Sequence, residues 1–250
     1  MMGPILRLAA AALMVCAACR ASAPIVREPG QHEQAFHARV TRDVSARYLL
    51  FLPRGYDRDR GERWPLLLFL HGAGERGDTL SRVTIHGPPR FLASRPDFPF
   101  VVVSPQARPD SIWSNLALDA LIDDVVARYR LDPDRVYVTG LSMGGYGAWQ
   151  LAMEFPRRFA ALVPVSAGAV PSGACALKHL PIWVFHGAKD DIVPLDRAQQ
   201  LVTRIRACPG ASGELRFTVY PDATHDAWTR TYDDPALYEW LLRQRRRPVP

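Results

Sequence analysis

Six short apolar runs constrain this chain more than any other feature. "PLLLFL", "FVVVSP", "RVYVTGL", "ALVPVSA", "PIWVFHG" and "LRFTVYP" follow one another from residue 65 to residue 221 without polar alternation. A strand with one wet face alternates apolar and polar side chains, whereas a strand covered on both faces does not. Helical patterns stand between several of these runs. "ALDALIDDVVARYRLD" stops at Pro133, "MGGYGAWQLAMEF" stops at Pro156, and "LDRAQQLVTRIRAC" and "PALYEWLLRQ" follow, the last with Pro235 in its first turn. Strands and helices in this order predict an α/β fold with a mostly parallel central sheet and helices on both faces. Ahead of them, "FHARV" and "ARYLLFLP" read as two antiparallel strands, the second ended by Pro53 and the turn-rich "RGYDRDRGERW".

The ends of the chain read differently. Residues 1–23 carry Arg7, the apolar stretch "LAAAALMVCAAC" and then Ala21-Ser22-Ala23, the pattern of an export signal. The stretch is too short for a comfortable membrane span, so no transmembrane segment is expected in the mature chain. Pro24 hinders cleavage after Ala23, while Cys19 after "CAA" resembles a lipoprotein attachment site. The expected location is therefore periplasmic, secreted or lipid-anchored through Cys19. Residues 24–35 are expected to form a flexible polar segment, and residues 36–250 a single domain. With 48% hydrophobic residues in 250, the chain has enough apolar material for one large core. The net charge of +6 does not imply a nucleic-acid partner, because the basic residues are scattered. Arg243, Arg245, Arg246 and Arg247 read as a solvated helix end whose cations suit the helix dipole. Export leaves Cys175 and Cys208 in the core, either bridged or as two free thiols.

"TGLSMGGYG" sets Gly140-Leu141-Ser142-Met143-Gly144 between a strand and a helix. A serine on so tight a turn needs small neighbours, and the turn lifts its hydroxyl clear of the sheet edge beside a helix N-terminus. A serine hydroxyl is a poor nucleophile without a base, which in turn needs a carboxylate to orient it. Past residue 142 the histidines are His179, His186 and His225. His179 precedes its strand, at the wrong end of a parallel element, and His186 ends the strand that carries the acid loop. His225, in the loop after the last strand, stands where the base is needed. The acid belongs in "HGAKDDIVP", where spacing alone does not choose between Asp190 and Asp191.

Together "HGAGERGD", "GLSMGGYGAW", "HGAKDDIVP" and "DATHDAW" resemble the esterase and prolyl-oligopeptidase-like branch of the α/β hydrolases, the phospholipase/carboxylesterase and feruloyl-esterase-like side. The resemblance covers about residues 45 to 242. It implies Asp190 as the acid, with Asp191 exposed or bonded within the loop. It also implies an oxyanion hole from the backbone N–H groups of Ala73 and Met143. Glu75 and Arg76 are expected to form an ion pair bracing that loop rather than to bind substrate.

A rival pattern overlaps the same loop: Gly72-Ala73-Gly74-Glu75-Arg76-Gly77 fits a dinucleotide-binding fingerprint, with Asp97 twenty residues further on. Gly87, Pro88 and Pro89 interrupt the helix that such a site needs, and Asp97 precedes its strand instead of following it. The gap from Ala167 to Pro181 is too short for a helical cap, so the site is expected to stand open. Trp113 and Trp228 are candidate pocket walls. The expected activity is hydrolysis of a small-molecule or polysaccharide-linked carboxylic ester through an acyl-enzyme, without metal or organic cofactor. The competing expectations are a serine peptidase of the same fold and a non-catalytic exported binding protein.

Overall fold

All six apolar runs become strands of one seven-stranded sheet. The structure, a computed structural model, describes residues 43–56 and 61–246. The expected export segment with Cys19, the segment 24–35 and the expected strand "FHARV" lie outside the described residues.

The strands are β1 (Arg47–Phe51), β2 (Trp64–Leu70), β3 (Val101–Gln106), β4 (Leu131–Leu141), β5 (Ala161–Val165), β6 (Ile182–Gly187) and β7 (Leu215–Tyr220). They are arranged β1-β3-β2-β4-β5-β6-β7. β2 to β7 are mutually parallel, and β1 runs antiparallel beside β3, with Arg47 opposite Gln106. The helices are α1 (Asn115–Arg128), α2 (Met143–Glu154), α3 (Leu195–Arg206), α4 (Trp228–Asp233) and α5 (Pro235–Arg243). The sheet is that of an α/β hydrolase.

Alternate residues of the central strands serve opposite layers, which is why those strands are apolar throughout. Leu66, Leu68, Leu70, Val136 and Val138 pack with Leu118 and Ile122 of α1, Ala148 and Leu151 of α2 and Leu201 of α3. Leu67, Phe69 and Tyr137 face the other way, toward Tyr232 of α4 and Leu237 and Trp240 of α5. Trp149 and Trp240 are fully buried, one on each side.

Three local expectations are corrected. The first helix ends at Arg128, not at Pro133, because Leu131 already pairs with Trp64 and Trp64 N–H donates to Arg130 O at 2.8 Å. Pro133 then falls in a register shift between the pairs of Trp64 and Leu66, where a missing N–H costs no ladder bond. α4 was not foreseen, since six residues ahead of an Asp-Pro step carry little periodic signal. Asp226 caps it, accepting from Thr229 N and Thr229 Oγ1 at 2.9 Å each. Beyond α5 the C-terminal arginines are not merely solvated. Arg245 reaches Asp132 at 2.9 Å and Arg246 reaches Asp134 at 2.7 Å, tying the chain end to the irregular start of β4.

Candidate active site

Chain reversal in strand order places β2 beside β4, and at such a switch the loops leaving the carboxyl ends of the strands part and leave a crevice. "HGAGERG" leaves β2 on one side of it and Ser142 leaves β4 on the other. Ser142 has φ 51° and ψ −118°, a left-handed conformation that a side chain rarely adopts. Its N–H is tied to Val165 O at 3.0 Å. The turn closes against β2 only because residue 144 is glycine: a Cβ there would stand 1.9 Å from Leu70 O.

His225 follows β7 and Asp190 follows β6, so both reach the same edge of the sheet. His225 Nε2 lies 2.9 Å from Ser142 Oγ and accepts its proton-bearing bond. His225 Nδ1–H donates to Asp190, with Oδ1 at 3.0 Å and Oδ2 at 2.9 Å. Asp190 is buried, and its Oδ1 also accepts from Ile192 N at 3.0 Å and Val193 N at 2.8 Å. Asp191 is exposed. The structure thus brings together Ser142, His225 and Asp190, and keeps Asp191 and His179 apart from them; His179 Nδ1 bonds Ser212 Oγ.

Two further groups hold this arrangement. His186, fully buried, donates from Nε2 to Val193 O at 2.8 Å and lies 3.2 Å from Asp190 Oδ2, so it steadies the carboxylate from behind. Ser166, just past β5 with φ 50°, donates from Oγ to the carbonyl of His225 at 2.8 Å. His186 is thus a support for the acid, a place that chain order alone does not assign to it. Its signal was the position itself, four residues before the acid at a strand end. Nothing in "VPVSAG" marked Ser166.

Ala73 begins a short 3-10 turn (Ala73–Glu75) and Met143 begins α2, so both amides are first-turn N–H groups without an intrahelical acceptor. His71 supports the first loop from beneath. Its Nδ1–H donates to Gly72 O at 2.6 Å, and its Nε2 accepts from Ala107 N at 3.0 Å. Burial pushes its pKa down to about 4, so the ring is neutral at ordinary pH. Arg76 donates to Ala73 O at 3.0 Å and Arg82 to Gly74 O at 2.6 Å. The expected Glu75–Arg76 ion pair is not formed, because Glu75 turns inward while Arg76 spends its donors on carbonyls. Glu75 is buried, with Oε1 3.6 Å from His86 Nε2 and Oε2 3.9 Å from His71 Nδ1.

The two tryptophans divide. Trp113 is buried edge-on against His71 at 4.8 Å, and it fits only because Gly147 of α2 is bare, a Cβ there lying 2.6 Å from the ring. It backs the loop and does not wall a pocket. Trp228 is half-buried, edge-on to His225 at 5.1 Å and to His86 at 5.6 Å.

Between β5 and β6 stands only a 3-10 segment, Pro171–Leu177, and no helical cap. Cys175 in that segment is disulfide-bonded to Cys208, just past α3, with Cα atoms 5.5 Å apart. Among the described residues no group of three His, Cys, Asp or Glu side chains is disposed to hold a metal ion. A cavity of about 750 Å³ lies at the opposite edge of the sheet, lined by Phe155, Arg158, Leu180 and Arg245, away from Ser142.

The chain is similar to known proteins. Residues 101–238 match the Dienelactone hydrolase family. A bifunctional acetylxylan esterase/xylanase of Neocallimastix patriciarum is 27% identical over 190 residues, 70% of this chain and 26% of that one. A probable feruloyl esterase C of Aspergillus terreus is 30% identical over 166 residues, 63% of this chain and 59% of that one. The chain therefore spans only part of the length of these relatives. Among solved structures, a thermostable esterase superposes with a TM-score of 0.69 at 34% identity, covering 80% of this chain and 59% of that one. A ferulic acid esterase, at 21% identity and a TM-score of 0.58 over 78% of this chain and 89% of that one, shares the fold. With a seven-stranded sheet of this order, a serine turn at its switch point and more than half its length matched, the chain belongs to the dienelactone hydrolase family, on the esterase side of the α/β hydrolases.

Proposed function

We propose that this protein hydrolyses carboxylic esters through an acyl-enzyme on Ser142, with His225 as base and then acid and Asp190 as its orienting carboxylate. The observation that carries the reading is the 2.9 Å approach of Ser142 Oγ to His225 Nε2, with His225 Nδ1 held on Asp190. In the first half-reaction Ser142 Oγ attacks the ester carbonyl as its proton passes to His225 Nε2. Negative charge gathers on the carbonyl oxygen, which the first-turn N–H groups of Ala73 and Met143 receive in this mechanism. Collapse expels the alcohol, protonated by His225. Water then attacks the acyl-serine by the same route, releasing the acid and restoring Ser142. Asp190 accepts Nδ1–H throughout and so keeps Nε2 free as the acceptor. Trp228 forms one wall of the mouth.

The relatives' names, acetylxylan esterase and feruloyl esterase, make esters carried on polymers the first class to assay. The enzyme acts outside the cytoplasm, either soluble or anchored at Cys19; mass spectrometry of the mature N-terminus distinguishes the two. No helix among the described residues is long and apolar enough to cross a membrane.

Turnover of 4-nitrophenyl acetate and butyrate, abolished by a serine-directed phosphonate and by Ser142→Ala with the fold intact, is the expected result. The loss in Ser142→Ala is on the order of 10⁴-fold or more. Activity confined to peptide anilides identifies a peptidase instead, and a tenth of normal turnover in Ser142→Ala rejects the mechanism.

A further inference from the structure

Glu75 lies buried in the oxyanion loop with no hydrogen bond to satisfy it. Its side chain is 7% exposed, Oε2 is sealed from solvent, and neither carboxyl oxygen accepts from a donor among the described residues. A carboxyl group so placed costs stability unless a neighbour answers it. Its position also bears on the chemistry. Glu75 N–H donates to Gly72 O at 3.4 Å, and a Cβ on Gly72 would stand 3.2 Å from Oε2. The carboxyl group therefore lies against the peptide unit joining Gly72 to Ala73, whose N–H is one of the two oxyanion donors. A negative charge held there opposes the charge that the reaction must gather on the carbonyl oxygen, and burial leaves the two poorly screened.

Two imidazoles stand near Glu75, and they are not equivalent. His71 Nδ1, 3.9 Å from Oε2, already donates to Gly72 O, and burial pushes the pKa of that ring down to about 4. Arg76 and Arg82 spend donors on the outward carbonyls of Ala73 and Gly74, and neither forms an ion pair with Glu75. His86 is left. Its Nε2 faces Oε1 at 3.6 Å, and its side chain is 33% exposed, so it exchanges protons with water where Glu75 does not. Its place is fixed from two sides. Gly87, at φ 68°, lies so flat on Phe69 that a Cβ would stand 2.3 Å from the ring, and His86 itself packs edge-on against Trp228. A carboxyl group and an imidazole that share one proton are neutral as a pair, whichever of them holds it.

We propose that His86 is the counter-group of Glu75 in ester hydrolysis, cancelling the charge of that carboxyl group beside the oxyanion hole without touching the substrate. It is a positioning residue, acting on the oxyanion through Glu75. The proposal rests on the acyl-enzyme reading with Ala73 N–H as a donor and adds a residue to it.

The test separates charge from packing. His86→Phe keeps a ring against Trp228 and removes the nitrogen that faces Glu75, while Glu75→Gln removes the charge at nearly constant shape. For both single variants and the double, kcat and KM are measured on 4-nitrophenyl butyrate, with active sites counted by phosphonate titration and folding checked by circular dichroism. Ki is measured for an alkyl trifluoromethyl ketone, whose adduct with Ser142 sets an oxyanion in the same hole. The expected result for His86→Phe is kcat lowered about tenfold or more with KM within about threefold of the parent, and Ki raised in step with the loss in kcat. Adding Glu75→Gln to His86→Phe restores kcat about fivefold or more, a non-additivity that a packing role does not produce. Full kcat in His86→Phe overturns the proposal, and so does a double variant no more active than His86→Phe. If His86→Phe fails to fold, the comparison passes to His86→Gln, which donates to Glu75 but takes up no proton. A loss of about threefold or more, relieved by Glu75→Gln, is then expected, and its absence overturns the proposal. Wild-type protein with no turnover of the soluble ester is a different result: it rejects the ester-hydrolase reading and this proposal with it.

Discussion

Replacing Asp190 by Asn changes one atom, and the surrounding donors decide where the new NH₂ group must point. Oδ1 of Asp190 accepts from two backbone amides, Ile192 N and Val193 N, which cannot turn away. The amide oxygen of Asn must therefore take that place. Its NH₂ then occupies the position of Oδ2, facing His225 Nδ1 at 2.9 Å and His186 Nε2 at 3.2 Å. His186 Nε2 carries a hydrogen, because its other partner is the carbonyl of Val193, so the NH₂ meets a donor there. At His225 it donates to Nδ1 in the tautomer with the proton on Nε2, where no acceptor remains for Ser142; the opposite tautomer keeps only the neutral amide oxygen, 3.0 Å from Nδ1 and already shared with two backbone amides, and lacks the charge that stabilises the imidazolium. The same change in another triad lowers kcat on the order of 10⁴-fold, about 5.4 kcal/mol of barrier. Asp191 is exposed and outside this web, so Asp191→Asn changes kcat less than about threefold, as surface substitutions do. Saturation kinetics on 4-nitrophenyl butyrate, with circular dichroism to confirm folding, separate the two. Equal losses, or a larger loss in Asp191→Asn, refute this account of the acid.

The disulfide between Cys175 and Cys208 closes a loop around β6 and the Asp190 turn, so reduction costs about 2–4 kcal/mol of stability and loosens the acid before the serine; two reactive thiols in unfolded, unreduced protein contradict it. Gly144→Ala drives a methyl into Leu70 O and destabilises by about 3 kcal/mol or prevents folding, read by urea denaturation. His71 has a folded pKa of about 4, below its unfolded value, so the unfolded chain binds the extra proton. Its contribution is intact above pH 6.5 and is lost as pH falls from 6.5 toward 4, on the order of 3 kcal/mol in all. Urea midpoints across that window fall more steeply in the wild type than in His71→Asn, and parallel slopes reject the assignment.

What the sequence disclosed and what it hid follow from range. The buried strands were legible because burial on both faces erases alternation over six or seven residues, and the serine turn because glycine is required beside it. His225 was legible by chain order. Asp190 needed the resemblance, since the two aspartates differ only in which one the tertiary fold turns inward. Glu75 and Trp113 were misread for a related reason. Glu75 is turned inward between His71, four residues before it, and His86, eleven after it, in a loop with no regular period to show which way its side chain points, and Trp113 is buried by a glycine 34 residues later, beyond any local window. The supporting roles of His186 and Ser166 depend on three loops meeting at one edge, and α1 stops early because β2 claims Leu131.

Ser142 also has an evolutionary meaning. Its backbone sits where glycine rests without strain and serine does not, a difference on the order of 1–3 kcal/mol. A single change to glycine would therefore relieve that strain while removing the proposed nucleophile, and most lineages carry little stability to spare. Drift without a requirement for turnover runs downhill toward glycine at this position.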